Sequence, residues 1–386
     1  MTKPIIGILT WREGARFEEP GYLRRLIQAA EKLGATAYVF AYQDVHLEKR
    51  IIRGFTPVAV GRWQTQTYPW PDVVIDRCRK GVDGYLQLRK QKELFTYANS
   101  SYTNKWNATQ LFAREESLQR WIPKTVAYSP NQLAEMLNQF RIVYLKPGNG
   151  TGGRSILKIE QKKDGFHLLG RAKNLTKKSA HFRSKRALLN RLKDWVEREK
   201  IRNGPFMIQQ GLDLSLMPQR VSDTRLLIQK DEHGNWQVTG LGARVGPIGS
   251  PTSNLQGGGK PLPFKKLMLS RFGPEKTELI YEECQELAMQ VVQVIEQYFG
   301  SMLEFGLDIG IDVGGKIWLI EVNPKPGREI FKTLGHKQLY RKSIERPIQY
   351  AMHLAQTNKE TVITSDNIMP VQNQIDASDC EGPTTP

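Results

Sequence analysis

The chain contains little that would support a disulfide framework or a transition-metal site. Its 386 residues include three cysteines, Cys78, Cys284 and Cys380, which lie far apart and form no Cys-x-x-Cys pair. The six histidines show no His-x-x-x-His or other spacing typical of metal ligands. We therefore expect free thiols, with neither a disulfide framework nor a zinc site.

Long apolar runs and a P-loop are also missing. No stretch approaches the roughly 18 to 20 consecutive apolar residues of a membrane-spanning helix. The first ten residues contain a short apolar run at 5–9 without the small-residue pattern of a cleavage site. We therefore expect a cytoplasmic protein. The Gly-x-x-x-x-Gly-Lys-Ser/Thr pattern is absent, which disfavours P-loop NTPases.

Acidic residues are scarce and unevenly placed. The chain has 56 Lys plus Arg against 39 Asp plus Glu, a net charge of +17. Residues 357–386 carry one lysine and five acids, and with few apolar residues we expect them to form a flexible acidic tail. Residues 171–202 carry 12 basic side chains. This stretch could attract an anionic partner, but the apolar stripe of Leu188, Leu192 and Trp195 favours an amphipathic helix with a solvated face.

The order of the apolar segments predicts an α/β protein. An apolar run at 5–9, a helical stripe at 21–33 that Gly34 closes, and apolar runs at 36–40 and 73–75 predict a small parallel βαβ domain. Helical patterns follow at 105–116 and 130–140. From residue 141 the pattern changes to strands interrupted by glycine, at 142–145 and 155–159.

A hairpin with two opposed carboxylates is predicted at 306–323. Two apolar, alternating strands flank Gly314 and Gly315, a pair suited to a two-residue hairpin turn. That turn would place Asp308 directly opposite Glu321, with Asn323 on the same face. Two like charges so placed destabilise a hairpin, whereas Mg²⁺ would attract both carboxylates and the amide oxygen. An exposed hairpin edge with solvated acids is the competing interpretation, and this pairing alone does not decide between them.

Several basic side chains are candidates for binding phosphate or carboxylate. Lys146 ends a strand and opens the glycine-rich loop 147–153, whose backbone amides could approach phosphate oxygens. Arg225 and Arg244 lie on or beside two later predicted strands and could bind an anion in bidentate fashion. Each feature alone is a weak signal.

Taken in order, these residues resemble the ATP-grasp superfamily across roughly 95–335. The resemblance rests on Lys105, Lys146 with its loop, the segment 206–210, Asp-Thr-Arg at 223–225, Asp308, and Glu-Val-Asn-Pro at 321–324. The opening Ile-Ile-Gly-Ile-Leu-Thr, Asp-Arg-Cys at 76–78 and the Arg-Val-Gly-Pro segment after residue 243 are similar to the YheC/YheD-like, endospore coat-associated branch.

The resemblance implies a role for each matching position. Lys105 and Lys146 would hold the ATP phosphates, and Arg225 would lie near the terminal phosphate. The cover over the phosphates would include Gly148, Gly150, Gly152 and Gly153. Adenine would meet Gln209, Gln210 and Leu212, and ribose would meet Asp213. Magnesium would be bound by Asp308, Glu321 and Asn323. The acyl phosphate or the substrate would face Arg244, Asn254, Gly257 and Gly258.

The implied architecture is an ATP-grasp fold with a pre-ATP-grasp βαβ domain at 1–94. A central lobe would span 95–210 and a C-terminal lobe 211–356, with the nucleotide between them and the tail at 357–386. Gly306 stands where D-alanine ligases carry an arginine two residues before the aspartate, which argues against D-alanine as the substrate.

The implied activity is an ADP-forming ligase that uses ATP and Mg²⁺ to join a carboxylate to an amine through an acyl phosphate. The partners would be amino acid or peptide-like substrates, and the branch implies association with spore coat proteins. Three alternatives stay open: a structural or binding protein of the spore coat that retains the ATP-binding fold, a kinase that phosphorylates a hydroxyl, and a nucleic-acid binder. The last has the weakest support, because no recognised nucleic-acid motif is present.

Overall fold

The computed structural model describes residues 3–14, 16–150, 153–199, 204–250 and 252–366. These residues form three sheets of five or six strands, with helices packed against them, and one small two-stranded sheet. Within this part of the chain, no helix has the length and apolar character needed to cross a membrane.

The first lobe is a six-stranded sheet around three parallel strands. Its elements are β1 Ile5–Leu9, β2 Arg12–Glu13, β3 Arg16–Phe17, α1 Pro20–Lys32, β4 Thr36–Phe40, β5 Val45–His46, β6 Ile51–Ala59, β7 Arg62–Pro69, β8 Val73–Asp76 and α2 Asp83–Lys90. Strand β1 pairs in parallel with both β4 and β8, as the predicted βαβ order requires. The antiparallel pair of β6 and β7 extends the sheet and was not predicted.

The central lobe is an antiparallel sheet covered by two helices. Its elements are α3 Lys105–Arg114, β9 Thr125–Ala127, α4 Pro130–Gln139, β10 Ile142–Pro147, β11 Ile156–Lys162, β12 Gly165–Arg171, β13 Lys177–Phe182, α5 Lys185–Glu199 and β14 Phe206–Gln210. The strand order is β13-β12-β11-β10-β14-β9. Helix α5 buries Leu188, Leu192 and Trp195, which confirms the amphipathic helix predicted for this part of the basic stretch.

The C-terminal lobe is a five-stranded antiparallel sheet against a long helix. Its elements are β15 Ser222–Lys230, β16 Trp236–Val245, β17 Lys260–Pro263, α6 Phe264–Phe299, β18 Glu304–Ile311, β19 Ile317–Asn323, α7 Glu329–Thr333 and α8 Lys337–Asp366. The strand order is β17-β16-β15-β18-β19. Helix α6 is broken at Gly273, which has a non-helical φ of 76° and is followed by Pro274. Proline cannot donate the backbone hydrogen bond that a continuous helix needs there.

Packing differs from the predicted boundaries at two places. Helix α3 and the segment after it pack into the core of the C-terminal lobe through Ala108, Phe112 and Trp121, although they precede the central sheet in sequence. Helix α8 packs against the first lobe through Ile344 and Ile348, and it continues to Asp366 instead of ending at 356. Residues 367–386, the rest of the predicted tail, lie outside the described residues. A boundary drawn from sequence order cannot show which core an apolar helix face will join.

A buried ion-pair cluster joins the first lobe to the C-terminal lobe. Arg77 follows β8, and its Nη1 donates to Oε1 of Glu304 on β18 at 3.0 Å. The other carboxylate oxygen of Glu304 accepts from Arg328 and, at 2.8 Å, from Gln229 Nε2. The Glu304, Arg77 and Arg328 side chains are at most 3% exposed. Burial of this kind favours a single arrangement of the two lobes, because a charge left unpaired would be costly.

Candidate active site

The structure pairs Asp308 with Glu321, as predicted, but the turn differs from the predicted one. Strand β18 ends at Ile311 and strand β19 begins at Ile317. The connection therefore contains five residues, whereas a two-residue turn at Gly314 and Gly315 was predicted. Near the loop the register is shifted by one residue, with Ile309 opposite Leu319. A bulge between Asp308 and Ile309 corrects the shift and restores the pairing of Asp308 with Glu321.

Asp308 is held by two arginines from neighbouring strands. Arg225 on β15 faces it in the register, and Arg225 Nε donates to Asp308 Oδ1 at 2.6 Å. Arg244 Nη2 lies 3.1 Å from Asp308 Oδ2. Burial alone would raise the pKa of Asp308, but the two arginines outweigh it and lower the pKa to about 2. The carboxylate is therefore ionised at neutral pH.

Arg244 is fixed in turn by Asp223. Its Nε and Nη2 donate to the two carboxylate oxygens of Asp223, each at 2.6 Å. This bidentate pair is nearly buried, with 7% of the Arg244 side chain and 9% of the Asp223 side chain exposed. Asp223 belongs to the Asp-Thr-Arg segment, but no role for it was predicted. Its position shows that it orients Arg244.

Glu321 and Asn323 complete the acidic face of the hairpin. Lys105, the first residue of α3, places Nζ 2.9 Å from Glu321 Oε2. Both side chains of this pair are about one quarter exposed. Asn323 Nδ2 is buried and has no hydrogen-bond partner among the described residues. The three predicted metal-binding residues therefore lie on two adjacent strands, with cations from α3, β15 and β16 around them.

This donor set fits a hard divalent cation. Two carboxylates and one amide oxygen are the ligand types that Mg²⁺ takes from proteins, with water and phosphate oxygens in its remaining positions. The Asn323 amide supports the fit. Its Nδ2 makes no hydrogen bond among the described residues, so no such bond prevents the amide from rotating to present its oxygen to a cation.

Lys146 lies at the end of β10, beside this acidic face. Its Nζ donates to Gln209 Oε1 at 2.7 Å, and Gln209 Nε2 donates to Thr125 Oγ1 at 3.0 Å. Burial lowers the pKa of Lys146 to about 8; Glu321 partly offsets this effect, and Lys105 adds to it. A lysine whose charge is this poorly solvated would gain by contact with an anion.

The glycine loop after Lys146 approaches other backbone closely. A Cβ on Gly148 would lie 2.7 Å from the carbonyl oxygen of Pro205, so only glycine fits there without a shift. A Cβ on Gly150 would meet Pro147 at 2.6 Å. Gly153 has a φ of 72° and lies near the Asn254 amide. Gly152, a predicted part of this loop, lies outside the described residues.

The loop 253–259 of the C-terminal lobe contacts the central lobe. Gly258 has a φ of 88°, and the amides of Gly257 and Gly259 both donate to the Asn254 carbonyl oxygen. Arg171, the last residue of β12, donates from Nη2 to the Gly257 carbonyl oxygen at 3.3 Å. Sequence reasoning did not single out Arg171 for the site, because an arginine at a strand end gives no local signal of the loop it will reach.

The predicted adenine and ribose residues divide into two groups. Gln209 is buried beside Lys146, whereas the Gln210 side chain accepts from the Lys124 amide on the opposite face of β14. Successive side chains of a strand point to opposite faces of the sheet, so the side chains of Gln209 and Gln210 cannot share one face. Leu212 is half-buried, and Asp213 is exposed with Oδ1 accepting from the Ser215 amide at 3.2 Å. The Asp213 carbonyl oxygen also accepts from the amide of Val313, which brings this segment beside the hairpin loop.

The model of the family described as YheC/D like ATP-grasp matches residues 94–354. The chain is 27% identical over 377 residues to the endospore coat-associated protein YheD of Bacillus subtilis (strain 168), covering 94% of this chain and 80% of YheD. It is 25% identical over 337 residues to the endospore coat-associated protein YheC of the same organism, covering 84% of this chain and 90% of YheC.

Among solved structures, D-alanyl-alanine synthetase A from Vibrio cholerae shares the fold with a TM-score of 0.54. The sequences are 11% identical, and the match covers 94% of this chain and all of the synthetase. At this identity the likeness concerns the fold alone.

Proposed function

Since this chain belongs to the YheC/D-like ATP-grasp family, we propose that it is an ATP-dependent, ADP-forming ligase that joins a carboxylate to an amine. The substrates are an amino acid or a peptide-like molecule, and the intermediate is an acyl phosphate. The observation that carries the proposal is the pair Asp308 and Glu321, ringed by four basic side chains from four different elements: Lys105, Lys146, Arg225 and Arg244. Such a site is suited to a polyphosphate and a divalent cation together.

The basic residues bind and orient the triphosphate. Lys105 and Lys146, which both lie near Glu321, neutralise phosphate oxygens, and the backbone of Gly148, Gly150 and Gly153 covers them. Asp308, Glu321 and Asn323 would hold Mg²⁺, which supplies charge neutralisation at the phosphates. Gln209 and Leu212 would meet the adenine, and Asp213 would meet the ribose. Gln210 could reach the adenine only through its backbone, because its side chain lies on the opposite face of β14.

Two chemical steps follow from this arrangement. A substrate carboxylate oxygen attacks the γ-phosphorus, the bond to the β-phosphate oxygen breaks, and ADP leaves. The amine nitrogen then attacks the acyl carbon, phosphate leaves, and the nitrogen loses a proton. Arg225 stabilises the transferred phosphoryl group, while Arg244, held by Asp223, faces the acyl phosphate with Asn254, Gly257 and Gly258. The residues act by positioning and electrostatic stabilisation, without a protein nucleophile.

The affinity for ATP is expected to fall at high pH because of Lys146. With a pKa of about 8, Lys146 is largely protonated at pH 7 and loses its charge above pH 8. Bound triphosphate favours the protonated form, so the Kd for ATP should rise by up to about tenfold per pH unit above 8, until the pKa in the complex is reached. Fluorescence or calorimetric titrations at pH 7, 8 and 9 measure this change.

Lys146→Arg is the matched control for this titration. Arginine stays protonated throughout the range, so the variant should show a much flatter profile whatever its absolute affinity. Parallel profiles for the two proteins would exclude Lys146 as the titrating phosphate ligand.

Arg171→Gln is expected to loosen the contact between the 253–259 loop and the central lobe. The substitution removes the hydrogen bond to the Gly257 carbonyl oxygen. At about 1 kcal/mol, the loss should speed amide hydrogen exchange in this loop by about fivefold in the MgATP-bound protein. Arg154→Gln is the control, because Arg154 donates to the Lys173 carbonyl oxygen within the central lobe. Equal exchange in both variants would contradict the role of Arg171.

A second candidate function is a structural or binding protein of the spore coat that retains the ATP-binding fold. The similarity to YheD and YheC favours it, because both are described as endospore coat-associated. We propose the coat as a location for this protein under either function, with coat proteins as partners. The enzyme is preferred because the charged positions of the site are all filled.

Isotope transfer distinguishes the two functions. The full chain is incubated with MgATP, an amine pool and a pool of amino acids and dipeptides whose carboxylates carry ¹⁸O. The ligase should form ADP and inorganic phosphate, with one ¹⁸O atom passing from the carboxylate to the phosphate. A kinase acting on a hydroxyl would form ADP without labelled phosphate. ATP binding with no ADP formation in any pool would favour the coat protein.

A further inference from the structure

A second cluster of potential ligands lies in the central lobe, on the hairpin of β12 and β13. His167 and His181 occupy directly opposed positions on these antiparallel strands. Asp164 lies in the turn that precedes β12. One ligand atom from each of the three side chains lies within 4.8 Å of the others. The side chains are 37%, 41% and 60% exposed for His167, His181 and Asp164, so an ion can reach them from solvent.

The distances suit a single tetrahedral ion. His167 Nε2 lies 3.0 Å from Asp164 Oδ2, and His181 Nε2 lies 3.5 Å from the same oxygen. Bonds of roughly 2.0 to 2.1 Å at tetrahedral angles place ligand atoms about 3.3 Å apart. The two observed separations lie on either side of that value. Only small side-chain movements would therefore bring all three ligands onto one ion.

We infer that Asp164, His167 and His181 form a binding site for a zinc-like divalent transition metal. Both imidazoles present the same nitrogen, Nε2, to one carboxylate, and two imidazoles with one carboxylate suit Zn²⁺ far better than Mg²⁺. Water takes the fourth position. At present His167 Nε2 is hydrogen-bonded to the Asp164 carboxylate and His181 Nε2 to the Asp164 carbonyl oxygen, at 2.9 Å. Metal binding replaces both hydrogen bonds, so any proton on either Nε2 is released.

The neighbouring charged groups do not complete the set of protein ligands. Glu160 lies opposite His167 on β11, but its carboxylate oxygens face Lys158 at 3.2 Å and Arg141 at 3.9 Å. The ion would tie the edge strand β13 to the turn before β12. It would do so at the opposite end of β12 from Arg171, about 13 Å away for four residues of strand. The site is thus separate from the hairpin that carries Asp308 and Glu321.

This inference departs from the expectation that the histidines bind no transition metal. His-x-x-x-His spacing detects ligands on one helix, whereas His167 and His181 are 14 positions apart and meet only through strand pairing. No local spacing rule could have found them.

Zinc titration of untagged, EDTA-treated full chain tests the site. Isothermal titration with Zn²⁺ alone should give one equivalent bound. His167→Gln and His181→Gln should each weaken this binding by at least about tenfold, and Asp164→Asn should weaken it as well. His233→Gln and Glu160→Gln are the controls and should bind like the unaltered protein.

Cobalt spectra add a test that does not depend on affinity. Bound Co²⁺ should show the visible bands of a tetrahedral ion without the thiolate charge-transfer band that a cysteine ligand would give. Asp308→Asn should leave this spectrum unchanged. The inference is overturned if the unaltered protein binds no zinc, if the His167→Gln/His181→Gln double variant binds it equally well, or if the spectrum shows thiolate ligation.

Discussion

Glu321→Gln is expected to lower Mg²⁺-dependent turnover by at least about 100-fold while leaving the fold intact. The substitution removes one of the two carboxylates proposed to hold the cation beside the phosphates. The side chains of Glu321 and Lys105, which form an ion pair, are each about one quarter exposed. Loss of this pair should therefore lower the unfolding free energy by less than about 1 kcal/mol. Steady-state ADP release and urea unfolding measure the two effects separately.

Asp308→Asn should lower turnover as well, but it should also destabilise the protein. Asp308 is nearly buried, and its loss leaves Arg225 without its carboxylate and Arg244 with Asp223 alone. Breaking a buried pair in this way costs about 3 to 5 kcal/mol. Glu329→Gln is the control for both variants, because the Glu329 side chain is 69% exposed in the same lobe. Full turnover in both Glu321→Gln and Asp308→Asn would refute the metal assignment.

Glu304→Gln is expected to reduce the unfolding free energy by about 3 to 5 kcal/mol. The neutral side chain would leave Arg328 buried without a carboxylate partner, whereas Arg77 would keep only its ion pair with Glu19. Since Arg77 belongs to the first lobe and Glu304 to the C-terminal lobe, the loss should also weaken their contact. Urea unfolding measures the stability, and limited proteolysis between the lobes measures the contact.

Glu286→Gln provides the comparison for this prediction. Glu286 pairs with Arg120, but both side chains are more than half exposed. Its replacement should therefore change stability by less than about 1 kcal/mol. If Glu304→Gln and Glu286→Gln unfold at the same urea concentration, the buried cluster does not hold the lobes together.

The hairpin shows how far the sequence could lead. Apolar alternation and the Gly-Gly dipeptide correctly predicted that Asp308 faces Glu321. The predicted two-residue turn was wrong. The five-residue connection shifts the register by one residue, and the bulge after Asp308 shifts it back, so the predicted pairing is restored. Periodicity fixes the faces of a strand, but a turn and a bulge are decided by local backbone geometry that alternation alone does not reveal.

The fold itself was predicted at the level of class and family. The ATP-grasp fold is confirmed by the family match and by the likeness to D-alanyl-alanine synthetase A. The strands β1 and β4 have the predicted bounds because buried parallel strands give continuous apolar runs. The exposed strand β7 gives no such run, and its pairing with β6 was missed.

The contacts that link distant segments could not be predicted. Nothing local in the sequence indicates that Asp223 fixes Arg244, or that Arg171 reaches Gly257 from another lobe. These contacts depend on how the sheets are placed in space, which is set by the packing of whole lobes. Single residues with a chemical signal, such as Lys146 and Asp308, could be proposed for the site because the order of motifs along the chain resembles a known family.

Trapping of the acyl phosphate with hydroxylamine is the most direct test of the proposed chemistry. Purified full chain and Glu321→Gln are incubated with MgATP, pooled carboxylates and hydroxylamine, and hydroxamate is measured together with ADP. We expect hydroxamate and ADP in equal amounts from the unaltered protein, and at least about 100-fold less from the variant. ADP formation without hydroxamate in every pool, or equal hydroxamate from both proteins, would contradict carboxylate activation at this site.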